Sequence, residues 1–464
     1  MKQPVFVAAA LLLWSFPIFT QTFEEIPPGG GGAFHPEPTV CLTDAQRTAI
    51  AAMLVENEAR LRSQRLIAPD DANGTVAFDW PIKNDPGLGS SWKNTIMIAN
   101  YVDQQAATGI LDYNCGTRSY DGHKGTDISL WPFGWHLKNN NFVQVVAAEA
   151  GIIIGKQDGN SDENCVWNNQ DWNAVYVRHS DGSVAWYGHM KKNSLTNKAI
   201  GTSVAKGEYL GVVASSGIST GPHLHFEVYK QQPYLVSNLI DPYNGTCNNM
   251  NPGVSWWANQ EPYRKPTLNA ALTHNTPPEH GCPTENEIPH FSNQFAPGNQ
   301  LVYTAVYFRD QMQGQTTSMR ILRPNGTIWN SWIHTSPQTY SGSWWWWSWA
   351  LPSGGPFGTW SFEATFDGQT IVHPFEYGNL VSTNSGNDSP ALTLAPNPAN
   401  GAFRLLSTEQ IELEIEVFNG MGRLVFSGKT RTGQEITLGE LAAGVYAVRV
   451  TAGSHVRHYR LVLE

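Results

Sequence analysis

Charge is scarce in this chain of 464 residues: Asp, Glu, Lys and Arg make up 15%, against about 25% in an average soluble domain. What charge there is leans negative, with 29 Lys and Arg against 39 Asp and Glu, so 29 − 39 = −10. A chain without a basic surplus lacks the electrostatic footprint of a nucleic-acid binder. Low charge beside 41% hydrophobic residues also excludes disordered tracts and coiled coils as the bulk of the chain. No apolar run reaches the ~20 residues of a membrane-spanning helix. The run from Val5 to Phe19, after Lys2, is shorter and reads as a secretory signal peptide over residues 1–20. The five cysteines, Cys41, Cys115, Cys165, Cys247 and Cys282, include no Cys-x-x-Cys pair, which argues against a thiolate zinc site. An exported chain does permit disulfides. No period of about 20–50 residues marks a solenoid.

Glycine, proline and tryptophan are plentiful instead, with 43, 29 and 18 residues, and point to aromatic-rich strands joined by tight turns. Residues 21–75 read as a Pro/Gly-rich linker followed by a helix, which the sequence fits equally as a propeptide element or as a packed N-terminal helix. Thr43-Asp44-Ala45-Gln46 is a capping box, and Ala49, Ile50, Met53, Leu54 and Leu61 recur at helical spacing, so the helix is expected from Thr43 to about Leu66. Residues 76–245 carry short strands, among them Val143–Ala148, Gly151–Gly155, Ala174–His179, Ser183–Tyr187 and His223–Tyr229. A connector at 246–285, a second β region at 286–378 and a third at 391–464 follow. The second shows a hairpin about Asn325-Gly326. In the third, Ile411, Leu413, Ile415 and Val417 alternate with glutamates. The expected class is mainly β: an antiparallel-sheet domain with a short N-terminal helix, then two β-sandwich-like domains.

Four pieces of the 76–245 region carry chemistry: Gly122-His123-Lys124-Gly125-Thr126-Asp127, Tyr187-Gly188-His189-Met190, Ser219-Thr220-Gly221-Pro222 and His223-Leu224-His225-Phe226-Glu227. In a strand, residues i and i+2 share a face, so His223 and His225 project together. Gly122 and Gly125 disfavour a helix around His123, which places it in a turn leading into a strand from Asp127 to Leu130. Imidazole and carboxylate are ordinary zinc ligands, and a catalytic site uses three protein ligands with an open position. His123, Asp127 and one histidine of the pair complete such a set. The other histidine then sits beside the metal, and His189 follows a strand that can approach it.

The order His-x-Gly-x-Asp, Tyr-Gly-His, Ser-Thr-Gly-Pro-His-Leu-His-Phe-Glu resembles the lysostaphin-type zinc endopeptidases, metallopeptidases that cut peptide cross-links in bacterial cell walls. The resemblance covers about residues 80–245. It implies one zinc per chain, bound by His123, Asp127 and His225, with His189 and His223 as the catalytic pair that does not bind metal. It also implies peptidoglycan peptides as substrate. A secreted protease acting on Gly-rich extracellular proteins, and a non-catalytic wall-binding scaffold, are the rival readings. Trp131 to Asn141 and Asp158 to Trp172 are longer than the smallest family members need, and are expected to form groove walls. Tyr113 and Tyr120 lie near the first ligand without a clear match to the oxyanion-stabilising tyrosine of some relatives.

Cys115 stands just before the first ligand loop and Cys165 in the long 158–172 loop, so a Cys115–Cys165 bridge is expected, with Cys247–Cys282 pinning the connector and Cys41 left over. Trp344 to Trp349 would show Trp345, Trp347 and Trp349 on one strand face and Trp344 and Trp346 on the other. A domain interface is favoured for them over a sugar-stacking surface. The 391–464 region, with Ala395-Pro396-Asn397-Pro398 and Leu441-Ala442-Ala443-Gly444-Val445-Tyr446, resembles the C-terminal sorting domains read by the type IX secretion system. That implies the type IX machinery as a partner and a secreted or cell-surface location.

Overall fold

The computed structural model describes residues 29–34, 40–67, 76–105, 107–282, 287–298, 300–378, 392–397, 399–407, 410–419, 423–439, 441–452 and 455–463. The expected signal peptide and the linker after residue 378 lie outside them. Among the described residues there are two α-helices, Asp44–Ser63 and Gly134–Asn139, and the remaining regular structure is almost entirely strand. The chain divides into two compact units, Met1–Gly378 and Asn379–Glu464.

The first unit is built on a sheet whose central strands carry the motifs. Thr126–Leu130 pairs antiparallel with His223–Tyr229, which pairs in turn with Val184–Gly188. The ladder continues through Ala174–Arg178 to Gly151–Gln157. Side chains alternate along His223–Tyr229. Leu224, Phe226 and Val228 enter a core with Val145, Val177 and Ala185. His223, His225, Glu227 and Tyr229 face the opposite side, where the N-terminal helix packs.

That helix begins as its sequence dictates. Thr43 Oγ1 accepts from the Gln46 backbone N–H at 3.2 Å, and the Gln46 side chain accepts from the Thr43 N–H at 3.0 Å. Ile50, Leu54 and Leu61 are buried against Ile154, Tyr176 and Trp186 of the sheet. Glu58, also buried, accepts from Arg178 Nε at 3.1 Å. The helix is thus a packed layer of the first unit.

Beyond the motif sheet, a four-stranded sheet (Gly29–Phe34, Gly342–Trp349, Val302–Arg309, Thr267–His274) packs on a five-stranded one, enclosing Val306, Phe308, Trp347, Trp349, Trp360 and Phe362. Two of these strands fall in segments expected to be irregular. Gly29–Phe34 opens on four glycines, which carry no side-chain pattern to read. In Thr267–His274 the alternation is broken by buried Asn269, whose amide donates to the carbonyls of Ile96 at 3.0 Å and Trp131 at 3.1 Å. The tryptophan run splits by parity. Trp347 and Trp349 enter the sandwich core, while Trp344 and Trp346 pack toward Phe34, Trp131, Phe133 and Tyr307. The same junction holds an Arg118–Asp310 pair at 2.8 Å and a bond from Trp131 Nε1 to the Phe308 carbonyl at 3.0 Å.

The disulfides differ from the expected pairing. The bridges are Cys115–Cys247 and Cys165–Cys282, with Cα separations of 5.2 and 5.9 Å, within the range a disulfide needs. The 112–116 turn lies on the 245–247 segment, where the Cys247 N–H donates to the Tyr113 carbonyl at 2.9 Å. The Cys165 loop reaches the 278–282 segment instead, across a groove they both line. Partners 132 and 117 residues apart are set by sheet packing, which proximity along the chain does not reveal. Cys41 stands outside both bridges, buried.

The second unit encloses Phe403, Leu405, Leu413, Ile415, Val417, Val448 and Val450 between a three-stranded and a four-stranded sheet. Glu412 and Glu414 are exposed on its outer face, as the alternation requires.

Candidate functional site

Strand register gathers the motifs. His225 lies opposite Asp127 on one neighbouring strand and opposite Gly188 on the other, so His189 follows directly beside it. His123, in the turn before Thr126–Leu130, has Nε2 3.1 Å from Asp127 Oδ2 and 3.3 Å from His225 Nδ1. His225 Nδ1 is 2.9 Å from Asp127 Oδ1. All three side chains are buried. Two glycines make the convergence possible. A Cβ on Gly125 would stand 2.6 Å from the His225 ring, and one on Gly188 would stand 2.3 Å from the Trp172 ring that underlies His189 and His225.

The outer shell fixes which nitrogen of each ring faces inward. His123 Nδ1 meets the Tyr101 carbonyl at 2.8 Å, His189 Nδ1 the Ser216 carbonyl at 2.6 Å, and His223 Nδ1 the Gly221 carbonyl at 2.8 Å. A carbonyl only accepts, so in the neutral form of each ring Nδ1 carries the proton and Nε2 keeps its lone pair, the form a metal ion would select. His225 is turned the other way: Nε2 donates to Glu227 Oε2 at 2.9 Å, leaving Nδ1 facing Asp127. Asn100 Nδ2 donates to Asp127 Oδ2 at 3.0 Å. Imidazoles oriented by carbonyl and carboxylate acceptors are the usual support of a metal site. Two such nitrogens and a carboxylate converging in a buried space fit a divalent metal.

Electrostatics follow the same arrangement. Burial alone would raise the Asp127 carboxyl, but His123 and His223 beside it hold it well below the usual carboxylate range. Burial opposes charge on His123 too, yet Asp127 lifts it to about 9. Burial would also raise Glu227, and the Arg47 guanidinium of the N-terminal helix outweighs this, bringing it down to about 2. Burial and the neighbouring His223 push His189 below its ordinary value.

The five residues singled out from sequence therefore meet in one place: His123, Asp127 and His225 as a trio, His189 and His223 with ring centroids 4.3 Å apart beside it. Three further residues join them. Glu227 shares the strand face of His225, so alternation could have found it. Tyr120 stacks on His123 at 4.3 Å between centroids and sits one turn ahead of it, while Tyr113 belongs to an aromatic cluster with Tyr101 and Tyr243. Cys41 has its Sγ 3.2 Å from the Tyr120 hydroxyl and 4.0 Å from Asp127 Oδ1. No local pattern announces a residue that arrives from so far upstream.

Asp127 and His223 open onto a groove of about 900 Å³ whose walls include Trp135, Trp167, Pro222 and Trp344. The 131–141 and 158–172 segments both contribute to it.

Residues 122–237 match the family model for peptidase family M23. This region is an M23 peptidase domain. Residues 393–464 match the secretion system C-terminal sorting domain, so the second unit is an export address and the protein is a secreted or cell-surface one. A DD-carboxypeptidase/endopeptidase, Mpg, of Neisseria meningitidis serogroup B is 47% identical over 55 residues, 12% of each chain. The peptidoglycan DD-endopeptidase ShyC of Vibrio cholerae is 29% identical over 111 residues, 24% of this chain and 21% of that one. The matched stretch thus spans about an eighth to a fifth of these relatives' length. A solved structure of a putative M23 peptidase from Pseudomonas aeruginosa aligns with 38% of this chain and 54% of its own, at 16% identity and a TM-score of 0.18. Among the described residues no helix is long and apolar enough to cross a membrane.

Proposed function

We propose that the M23 domain is an exported zinc-dependent endopeptidase that hydrolyses peptide bonds in peptidoglycan cross-links. His123 Nε2, Asp127 and His225 Nδ1 would hold one zinc. The observation that carries this reading is the set of inward lone pairs fixed by the outer shell: each ring's other nitrogen is already committed to a carbonyl or to Glu227. Bound there, zinc supplies Lewis-acid polarisation of the scissile carbonyl and acidifies water.

The chain's own residues do the rest. His189 and His223 present Nε2 beside the trio, one to take the proton of the attacking water and the other to deliver a proton to the leaving amine. The open groove with aromatic walls suits an extended peptide, and the likeness to the peptidoglycan DD-endopeptidase ShyC favours a wall peptide as that substrate. The sorting domain supports delivery through the secretion machinery to where such walls are met.

Metal analysis with a wall-digestion assay tests the assignment. His225→Ala should lose metal and activity together. His189→Ala should lose activity and keep its metal. If His189→Ala lost metal as fully as His225→Ala, the division between ligands and proton carriers would be wrong.

A further inference from the structure

We propose that the Cys41 thiolate is a fourth metal ligand, delivered by the chain's own N-terminal segment, and that it holds the centre in a latent state. The proposal rests on the zinc-site reading above. Cys41 Sγ and one donor atom from each of His123, Asp127 and His225 all lie within 4.8 Å of one another, and the same Sγ forms a second such set with His189 and His223. Among the described residues it is the side chain shared by the ligand trio and the catalytic pair. A catalytic zinc site keeps one position open for water and substrate, and a thiolate bound there would fill it. Thiolate is itself a good zinc donor, and four protein ligands make a closed site rather than a working one.

An independent observation points the same way. His189 Nε2 is fully buried, faces this space, and has no hydrogen-bond partner among the described residues. A proton carrier with its working atom shut away from solvent is what a covered site predicts.

The segment that brings Cys41 is anchored on both sides by other contacts. Downstream, Thr43 caps the helix, and Arg47 in its first turn pairs with Glu227, the residue that orients His225. Upstream, Gly29–Phe34 pairs in register with Gly342–Trp349, and Phe34 stacks on Trp131 with centroids 4.3 Å apart. Ala33 and Phe34 line the groove. A thiol held from both ends acts as an intramolecular ligand at high effective concentration. Latency ends when Cys41 leaves the cluster, through cleavage of the segment or capping of the thiol.

The test uses the full chain loaded with cobalt(II) in place of zinc. Wild type and Cys41→Ser should each bind one cobalt. Wild type alone should show a thiolate-to-cobalt charge-transfer band in the near ultraviolet. With zinc restored, Cys41→Ser should digest walls at least about tenfold faster, a factor that corresponds to ~1.4 kcal/mol of ligand hold. Cys41→Ala should behave alike, which guards against a serine that still binds. Chelation should also speed reaction of the wild-type thiol with a disulfide reagent. Cobalt bound by both proteins with no band in wild type would overturn the proposal. A band without faster digestion by either variant would overturn the latency. A thiol whose reactivity ignores chelation would count against the ligand. Failure of both proteins to bind cobalt would instead refute the zinc-site reading on which all of this rests.

Discussion

Replacing Glu227 by Gln isolates the role of the buried carboxylate that links the N-terminal helix to the trio of His123, Asp127 and His225. Glu227 is fully buried, accepts the His225 Nε2–H at 2.9 Å, and pairs with Arg47. Its carboxyl sits at about 2 against an ordinary 4.5. The folded value is depressed, so its stabilisation is fully present above 4.5 and is lost as pH falls toward 2. At about 1.4 kcal/mol per unit, that difference corresponds to roughly 3 kcal/mol at neutral pH. Leaving Arg47 without its buried partner gives a similar figure, about 3–5 kcal/mol. Metal affinity should fall separately, by about 10- to 100-fold, because His225 loses the acceptor that fixes its orientation. Urea unfolding and a chelator-competition titration read the two effects. The double variant Arg47→Met/Glu227→Gln should recover most of the stability, since no unpaired charge remains, while its metal affinity stays low. A Glu227→Gln protein with unchanged unfolding midpoint and unchanged metal affinity would refute the reasoning.

Other consequences can be checked as directly. Peptide mapping without reduction should yield Cys115–Cys247 and Cys165–Cys282 peptides, and losing either bridge should cost about 2–5 kcal/mol; a Cys115–Cys165 peptide would contradict the structure. Asp241 is buried with its carboxyl pushed up to about 7 by that burial. Its raised value means stability falls as pH rises from about 4 through 7, by up to ~4 kcal/mol, and Asp241→Asn should shrink the loss seen by urea unfolding. Deleting residues 391–464 removes most of a separate compact unit, so metal binding should survive while the truncated chain fails to reach the medium or cell surface; normal export of the truncated chain would remove the sorting role.

The site was legible where chemistry follows local periodicity. A two-residue strand repeat put His223 and His225 on one face, and the glycines about His123 kept that residue in a turn entering the Asp127 strand. The same repeat extends to Glu227, two residues beyond His225. What the sequence hid depends on contacts between distant segments. Cys41 reaches the trio because the helix after it packs on the sheet, and both disulfide pairings follow from loops meeting across the fold. Gly29–Phe34 and Thr267–His274 escaped notice for related reasons. The first has glycines in place of a pattern, and the second turns Asn269 inward toward the carbonyls of another domain. The tryptophan run, by contrast, obeys strand parity: one face fills the sandwich and the other seals its junction with the M23 domain.

The most direct test of the central claim is mass spectrometry of purified walls after digestion by the zinc-loaded chain, carried out with wild type and Cys41→Ser side by side. The account predicts loss of cross-linked wall peptides with matching new amino termini from at least the Cys41→Ser protein, and no such termini once His225→Ala is added. Intact cross-links after treatment with both zinc-loaded proteins, on walls that a control hydrolase opens, would contradict it.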